Sequence, residues 1–271
     1  MKADRPSETA LRIAGSRVAA MRDPVLRKVL SAPEEPYSEW FVRAHSGRAR
    51  LQLALWKWGP TRRLLHRITE LLFPGAQLHI LLRKRYVEDT VRAALTEGVT
   101  QVVIFGGGLD PLALRLAPEF PAARFIEIDH PATQAVKRRA LEAHGVSPAN
   151  VTLLPVDFSR ETAEEALRAL PQFDPGAPSL YLAEGLLMYL DQKDVDALFA
   201  AVRRLGTPGT RFLFSVLDAA ALADPEAPLA RSARMLERVG EPVRWAPERK
   251  KLDGYVKKHG FRSRSVVDSR T

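Results

Sequence analysis

From Gly98 onward the chain alternates short, wholly apolar runs with helical stretches, and this constrains the fold more than any other feature. Residues 102–105, 125–128, 151–154, 180–182 and 212–216 read as strands buried on both faces, because a strand with one wet face alternates apolar and polar residues. Helical stretches fall between them, near 111–117, 132–144, 161–169 and 191–205. Buried strands joined by helices predict an α/β fold with a doubly wound, mostly parallel sheet. A helical excursion is expected over 218–246, then a last helix over 247–259 stopped by Gly260, then a sixth strand over 261–267. Residues 1–98 carry no strand-like alternation and read as a helical cap. Ser7 is a predicted N-cap, Asp23-Pro24 closes the first helix, a second stretch covers 47–72, and a third runs over 77–96.

The carboxyl ends of the predicted strands carry the chemistry. The first runs into Gly106-Gly107-Gly108-Leu109-Asp110-Pro111. Glycines delivered by a buried strand let the backbone approach a ligand without a Cβ in the way, and Asp110-Pro111 reads as an N-cap followed by an N1 proline. Pro111 stands where a third glycine would complete the dinucleotide fingerprint, so a single adenosine-type ligand fits better than a pyrophosphate cofactor. The second strand ends in Asp129, placed to accept two ribose hydroxyls; its alternative is a cap before Pro131. The third ends Val156-Asp157-Phe158, an acid and an aromatic face suited to adenine, or again a helix cap. The fourth ends Ala183-Glu184-Gly185, and an acid at the tip of a buried strand is poorly explained by packing. Ligands of open α/β sheets bind at strand carboxyl ends, so these four tips are expected to face one site.

Composition removes several classes of function. The chain of 271 residues has no cysteine, which excludes disulfides, thiol nucleophiles and thiolate metal sites. No metal site is expected. No apolar run reaches the roughly 18–20 residues of a membrane helix, and 1–8 is polar, so the expectation is a cytoplasmic protein with no membrane partner. The net charge of +9 is local: between Arg43 and Arg85 lie ten Lys/Arg against one acid, Glu70. That patch is compatible with a solvated face, RNA, an anionic membrane surface or an acidic substrate. No recognised RNA module accompanies it, so nucleic acid is not the expected partner.

Taken together, Arg83-Lys84-Arg85-Tyr86-Val87-Glu88-Asp89, Phe105-Gly106-Gly107-Gly108-Leu109-Asp110, Glu127-Ile128-Asp129-His130-Pro131 with Lys137, Val156-Asp157-Phe158, and Ala183-Glu184-Gly185-Leu186-Leu187-Met188-Tyr189-Leu190 resemble the leucine carboxyl methyltransferase family. This is a branch of the class I S-adenosylmethionine (SAM) methyltransferases, and the resemblance covers about 7–268. It implies a Rossmann-like SAM-binding core at 99–271 with the insertion near 218–246. It further implies that Arg83 pairs with the SAM carboxylate, Gly106 and Gly108 line the methionine moiety, and Asp129 holds the ribose. Asp157 and Phe158 would contact adenine and Glu184 the methionine ammonium; Tyr189 is a candidate to face the acceptor, with plain core packing as the alternative. The reaction implied is O-methylation of a carboxylate on a small molecule or peptide, with S-adenosyl-L-homocysteine as product. A carboxylate is already ionised at neutral pH, so no catalytic acid–base residue is expected, in keeping with six scattered histidines and no Ser-His-Asp pattern. Two departures stand out. Members usually read Gly-Leu-Asp-Thr-Arg where this chain has Gly108-Leu109-Asp110-Pro111-Leu112. No closing antiparallel strand follows the sixth, which leaves a sheet edge open and suggests a homodimer. The alternatives are a non-catalytic protein of the same fold and an RNA-binding methyltransferase using 43–85.

Overall fold

The computed structural model describes residues 6–30, 35–158 and 160–268. Five strands, β1 (Gln101–Phe105), β2 (Arg124–Asp129), β3 (Val151–Pro155), β4 (Ser179–Ala183) and β5 (Arg211–Phe214), form one sheet in the order β3-β2-β1-β4-β5. Every pairing is parallel, with Val103 opposite both Ile126 and Tyr181. The sequence order reverses at β1: β2 and β3 lie to one side, β4 and β5 to the other. β1 and β4 are buried throughout, whereas β3 and β5 are half-buried because each forms an edge of the sheet.

Alternating side chains send β1 into two cores. Val103 and Phe105 pack with Ile126, Ile128 and Tyr181 against α8 (Ala163–Arg168), α9 (Gln192–Leu205) and α12 (Arg249–Lys258). Val102 and Ile104 pack with Phe125, Leu180 and Leu182 against α5 (Ala76–Thr96) and α6 (Leu112–Leu116). Each such Val, Ile or Phe contributes about 1.5–3 kcal/mol by leaving water. A third cluster joins α1 (Glu8–Met21), α2 (Tyr37–His45) and α3 (Gly47–Lys57) to α7 (Pro131–Glu142) and to Leu109 in the loop after β1. The N-terminal helices thus rest directly on the loop that carries the glycines. Ser7 caps α1 as expected, its hydroxyl accepting from the Ala10 amide at 3.1 Å.

Three expectations need correction. The helical stretch over 47–72 is two helices, α3 and α4 (Gly59–Leu72), parted at Trp58, whose backbone is extended. Pro60 offers no amide to the preceding turn, and Gly59 weakens the junction further. The helix expected over 111–117 starts at Leu112, with Pro111 flanking it; Asp110 still serves its first turn, Oδ1 accepting from the Leu112 amide at 2.9 Å. The sixth strand over 261–267 is absent. Phe261 turns into the aromatic group around Phe199, and the following residues are drawn toward α5 by polar contacts, Ser265 to Tyr86 and Arg264 to Glu97. They lie near β5, with Phe261 packed on Phe212 and Arg264 sharing Glu97 with Arg211, but form no ladder with it. The excursion carries α10 (Ala219–Ala223) and α11 (Pro228–Arg238), then returns through buried Trp245, beside which the Arg244 amide donates to the Met188 carbonyl. No helix among the described residues is long and apolar enough to cross a membrane.

Candidate functional site

The loop after β1 rises from the point where the strand order reverses, where ligand crevices of open sheets form. Gly106 and Gly108 hold φ of 66° and 54°, left-handed values that side-chain-bearing residues rarely adopt. Both are tight as well as twisted: a Cβ on Gly106 would meet Leu186 at 3.0 Å, and one on Gly108 would meet Ala10 at 3.3 Å. The loop is thereby clamped between the segment after β4 and the start of α1.

Asp129, at the end of β2, is 9% exposed. Its Oδ2 accepts from the Gly108 amide and its Oδ1 from the His130 amide, each at 2.6 Å. Burial raises its pKa above the ordinary carboxylate range, against the pull of those two amides. His130 caps α7, its Nδ1 accepting from the Ala132 amide, so the cap before Pro131 that was the alternative for Asp129 is made by its neighbour. One layer below, Glu127 and Lys137 form a fully buried ion pair, and Lys137 Nζ also donates to the Asp110 carbonyl at 2.6 Å. Burial pushes the Glu127 carboxyl up, with Lys137 opposing.

The densest charge lies between α5 and the tip of β4. Lys84 Nζ bridges Asp110 Oδ2, at 2.6 Å, and Glu184 Oε2. Burial works against the Lys84 ammonium, but Asp110 and Glu184 outweigh it and hold its pKa above the usual value. For Asp110 and Glu184 the balance runs the other way: burial raises each, and the cations win, Lys84 first at Asp110 and Arg83 first at Glu184, so both carboxyls sit low. Arg83 Nε lies 2.5 Å from Glu184 Oε1, yet both atoms are buried without an aligned hydrogen bond. They are held together as opposite charges, and a ligand carrying both a carboxylate and an ammonium has a partner for each of them. Lys84, Gly106, Gly107, Asp110, Glu127 and Glu184, with Val87, Ile104, Leu112 and Leu182, line a narrow cleft.

Among the residues singled out from sequence, Arg83, Gly106, Gly108, Asp129 and Glu184 are thus gathered around the β1, β2 and β4 tips. Asp157 and Phe158 follow the edge strand β3; Asp157 lies 3.4 Å from Arg160, and Phe158 is 40% exposed. Tyr189 lies in a short 3₁₀ turn after β4. Burial pushes its phenol up to about 12, and Thr9 hydrogen-bonds it, so it stands as a neutral hydrogen-bonding group. Ser7 and Thr9 both donate to Glu241, tying α1 to the end of the excursion beside Tyr189. Sequence reasoning assigned no role to Lys84, Glu127 or Glu241. Lys84 carried a signal, since it adjoins Arg83 on a helix, but its reach to two carboxylates is a tertiary fact. Among the described residues no group of His, Asp and Glu has the arrangement of a metal site.

The family model for leucine carboxyl methyltransferase matches residues 10–203. A protein of Mycolicibacterium paratuberculosis, provisionally named an S-adenosyl-L-methionine-dependent methyltransferase, is 35% identical over 193 residues, covering 68% of this chain and 59% of its own. One of Mycolicibacterium vanbaalenii with the same provisional name is 33% identical over 238 residues, covering 84% of this chain and 72% of its own. The chain spans 50–59% of the length of the first three curated relatives it matches. Among solved structures, a provisionally assigned methyltransferase of Thermobifida fusca superposes with a TM-score of 0.55 at 19% identity, covering 79% of this chain and 83% of that one. Human N-acetylserotonin methyltransferase, solved in complex with SAM, superposes with a TM-score of 0.50 at 16% identity, covering 97% of this chain and 64% of that one. These two likenesses show the class I methyltransferase fold. The chain belongs to the leucine carboxyl methyltransferase family.

Proposed function

We propose that this member of the leucine carboxyl methyltransferase family binds SAM at the β1, β2 and β4 tips and transfers its methyl group to a carboxylate. The observation that carries this reading is the Arg83–Glu184 pair, opposite charges 2.5 Å apart and largely shielded from water, beside a left-handed glycine loop. An amino acid moiety carries the two complementary charges, an α-carboxylate for the Arg83 fork and an α-ammonium for Glu184. Asp129 spends one bond per oxygen on backbone amides and keeps lone pairs for the two ribose hydroxyls. Gly106 and Gly108 line the methionine arm, Asp157 and Phe158 receive the adenine, and Tyr189 faces the acceptor. Lys84 positions Glu184 and Asp110 by bonding to both.

Bound there, SAM supplies an electrophilic methyl group on a sulfonium. The protein's part is orientation, which supplies roughly 7–11 kcal/mol when reacting groups are held in line. No residue need remove a proton, because a carboxylate nucleophile is already ionised, and a phenol with its pKa near 12 is no base at neutral pH. The acceptor is a small-molecule or peptide acid in the cytoplasm, and pairing of two copies through the open β5 edge belongs to the same proposal.

Thermal unfolding with SAM and S-adenosyl-L-homocysteine tests it, on the native chain, Arg83→Ala and Asp129→Ala. Ligand near 100 times its Kd adds about 2.7 kcal/mol, enough to raise Tm by several degrees. A rise that both substitutions abolish is the expected result, and no rise at millimolar ligand overturns the reading. Methyl groups transferred to a carboxylate are then recognised by their release as methanol in mild alkali.

A further inference from the structure

Helix α4 is inside out. Its polar face is turned to the body of the protein: His66 Nδ1 meets Gln77 Oε1 at 3.1 Å, Glu70 accepts from the Gly75 amide at 3.0 Å, and Arg62 and His66 act electrostatically on Asp23. Its apolar residues point to water, with Leu64 58%, Ile68 44%, Leu71 78% and Leu72 50% exposed, and no residue of α4 is buried. The apolar surface continues onto α3 through Leu55 and onto Trp58, which is 64% exposed at the corner. Of fourteen large apolar side chains exposed among the described residues, nine fall within 51–82. Soluble surfaces seldom leave so continuous an apolar patch without a partner.

The charge around the patch selects that partner. Of the ten cations between Arg43 and Arg85, five are paired with acids (Arg43 and Lys57 with Glu39, Arg83 and Lys84 with Glu184, Arg85 with Asp89), while Arg48, Arg63 and Arg67 are exposed in the stretch that carries the apolar residues. A second copy of the chain would bring this face against an equally cationic one, which is repulsive. A helix with Leu and Trp on one side and Arg on its flanks is instead the pattern of an interfacial helix, and anionic lipid offers both acyl chains and negative headgroups. At fourteen residues α4 is about 21 Å long, too short to cross a core of about 30 Å. We propose that the outer face of α3, α4 and the start of α5 docks on an anionic lipid bilayer, with α4 lying in the plane of the interface. This departs from the expectation of no membrane partner, while no spanning helix is involved. Helix α5 ties this face to the cleft, because Leu78 at the patch precedes Arg83 by about 8 Å of helix.

The test is co-sedimentation of the full chain with phosphatidylcholine vesicles, with and without about 30% phosphatidylserine, at low and high salt. Binding is expected to the anionic vesicles alone and to weaken as salt rises. The pair Ile68→Glu with Leu71→Glu, and separately Arg63→Glu with Arg67→Glu, should each reduce it about tenfold or more. Both pairs are exposed, so circular dichroism and Tm should stay at native values. Three results overturn the proposal: no binding to anionic vesicles at low salt, equal binding to neutral vesicles, or vesicle binding unchanged in both paired variants. Self-association without lipid that Ile68→Glu with Leu71→Glu disperses would also overturn it, by naming a second copy as the occupant.

Discussion

Helices α4 and α9 have the same length, fourteen residues, and both segregate apolar from polar side chains. They end in opposite circumstances. α9 buries Val195, Leu198, Phe199, Ala201, Val202 and Leu205 against the sheet and α12, and points Arg203 and Arg204 to water. α4 buries nothing and shows water its leucines. Amphipathicity therefore says that a helix has a face to cover and leaves open whether the chain itself supplies the cover. Where it does, as at α9, the helix is part of the folding unit. Where it does not, as at α4, the face is held in reserve.

The contrast can be broken by substitution. The largest effect is expected at Phe199→Ala, which removes the ring at the centre of an aromatic group comprising Phe212, Phe214, Tyr255, His259 and Phe261. It should cost about 3–5 kcal/mol in urea unfolding; a cost below 1 kcal/mol would mean that α9 is no more integral than α4. Next is Arg204→Ala on the wet side of α9. Its partner Glu164 is 2.6 Å away, but Arg204 is 58% exposed, so the loss in urea unfolding should be far smaller than at Phe199.

A pH experiment sharpens the comparison from the other side. The α3–α4 pair is tied down partly by Lys57 bonding to Glu39 on α2. Burial raises the Glu39 carboxyl, but Lys57, Arg43 and Arg22 outweigh it and lower its pKa from 4.5 to about 2. A depressed carboxylate stabilises above its unfolded value and loses that contribution as pH falls through the folded one. Amide exchange in α3 should therefore accelerate relative to α9 between pH 4.5 and 2, and Glu39→Gln should remove that acid-induced difference. The smallest effect is expected at Leu71→Ala, within about 0.5 kcal/mol, because that side chain stays 78% exposed after folding.

Much of this was legible in the sequence because it is local. β1 and β4 are short apolar runs between Gly and Pro, and no partner knowledge is needed to see that they are buried. Asp129 and Glu184 could be singled out for the same reason, since an acid ending such a run has no packing explanation. What escaped depends on neighbours distant in the chain. Lys137 reads as a surface residue of α7 until Glu127 and the Asp110 carbonyl are placed around its ammonium. Residues 261–267 look like a strand, but a strand needs a ladder, and this segment meets its surroundings through side chains, Ser265 to Tyr86 and Arg264 to Glu97. The break at Trp58 was written in Gly59-Pro60, a signal outweighed by the leucine periodicity on either side. The inversion of α4 has no sequence signature at all, because an apolar face looks the same whichever way it is turned.

The Arg83–Glu184 pair carries one more consequence. On the reading proposed above, each residue holds the place of half a ligand, so an incoming molecule must displace the pair. A zwitterion relieves both at once. A decarboxylated analogue takes Glu184 and leaves Arg83 without its carboxylate, whereas a deaminated one takes Arg83 and leaves Glu184 to Lys84 alone. The penalty falls on the mismatched molecule even if every other contact is intact, so the site refuses near-copies by what it would be left holding.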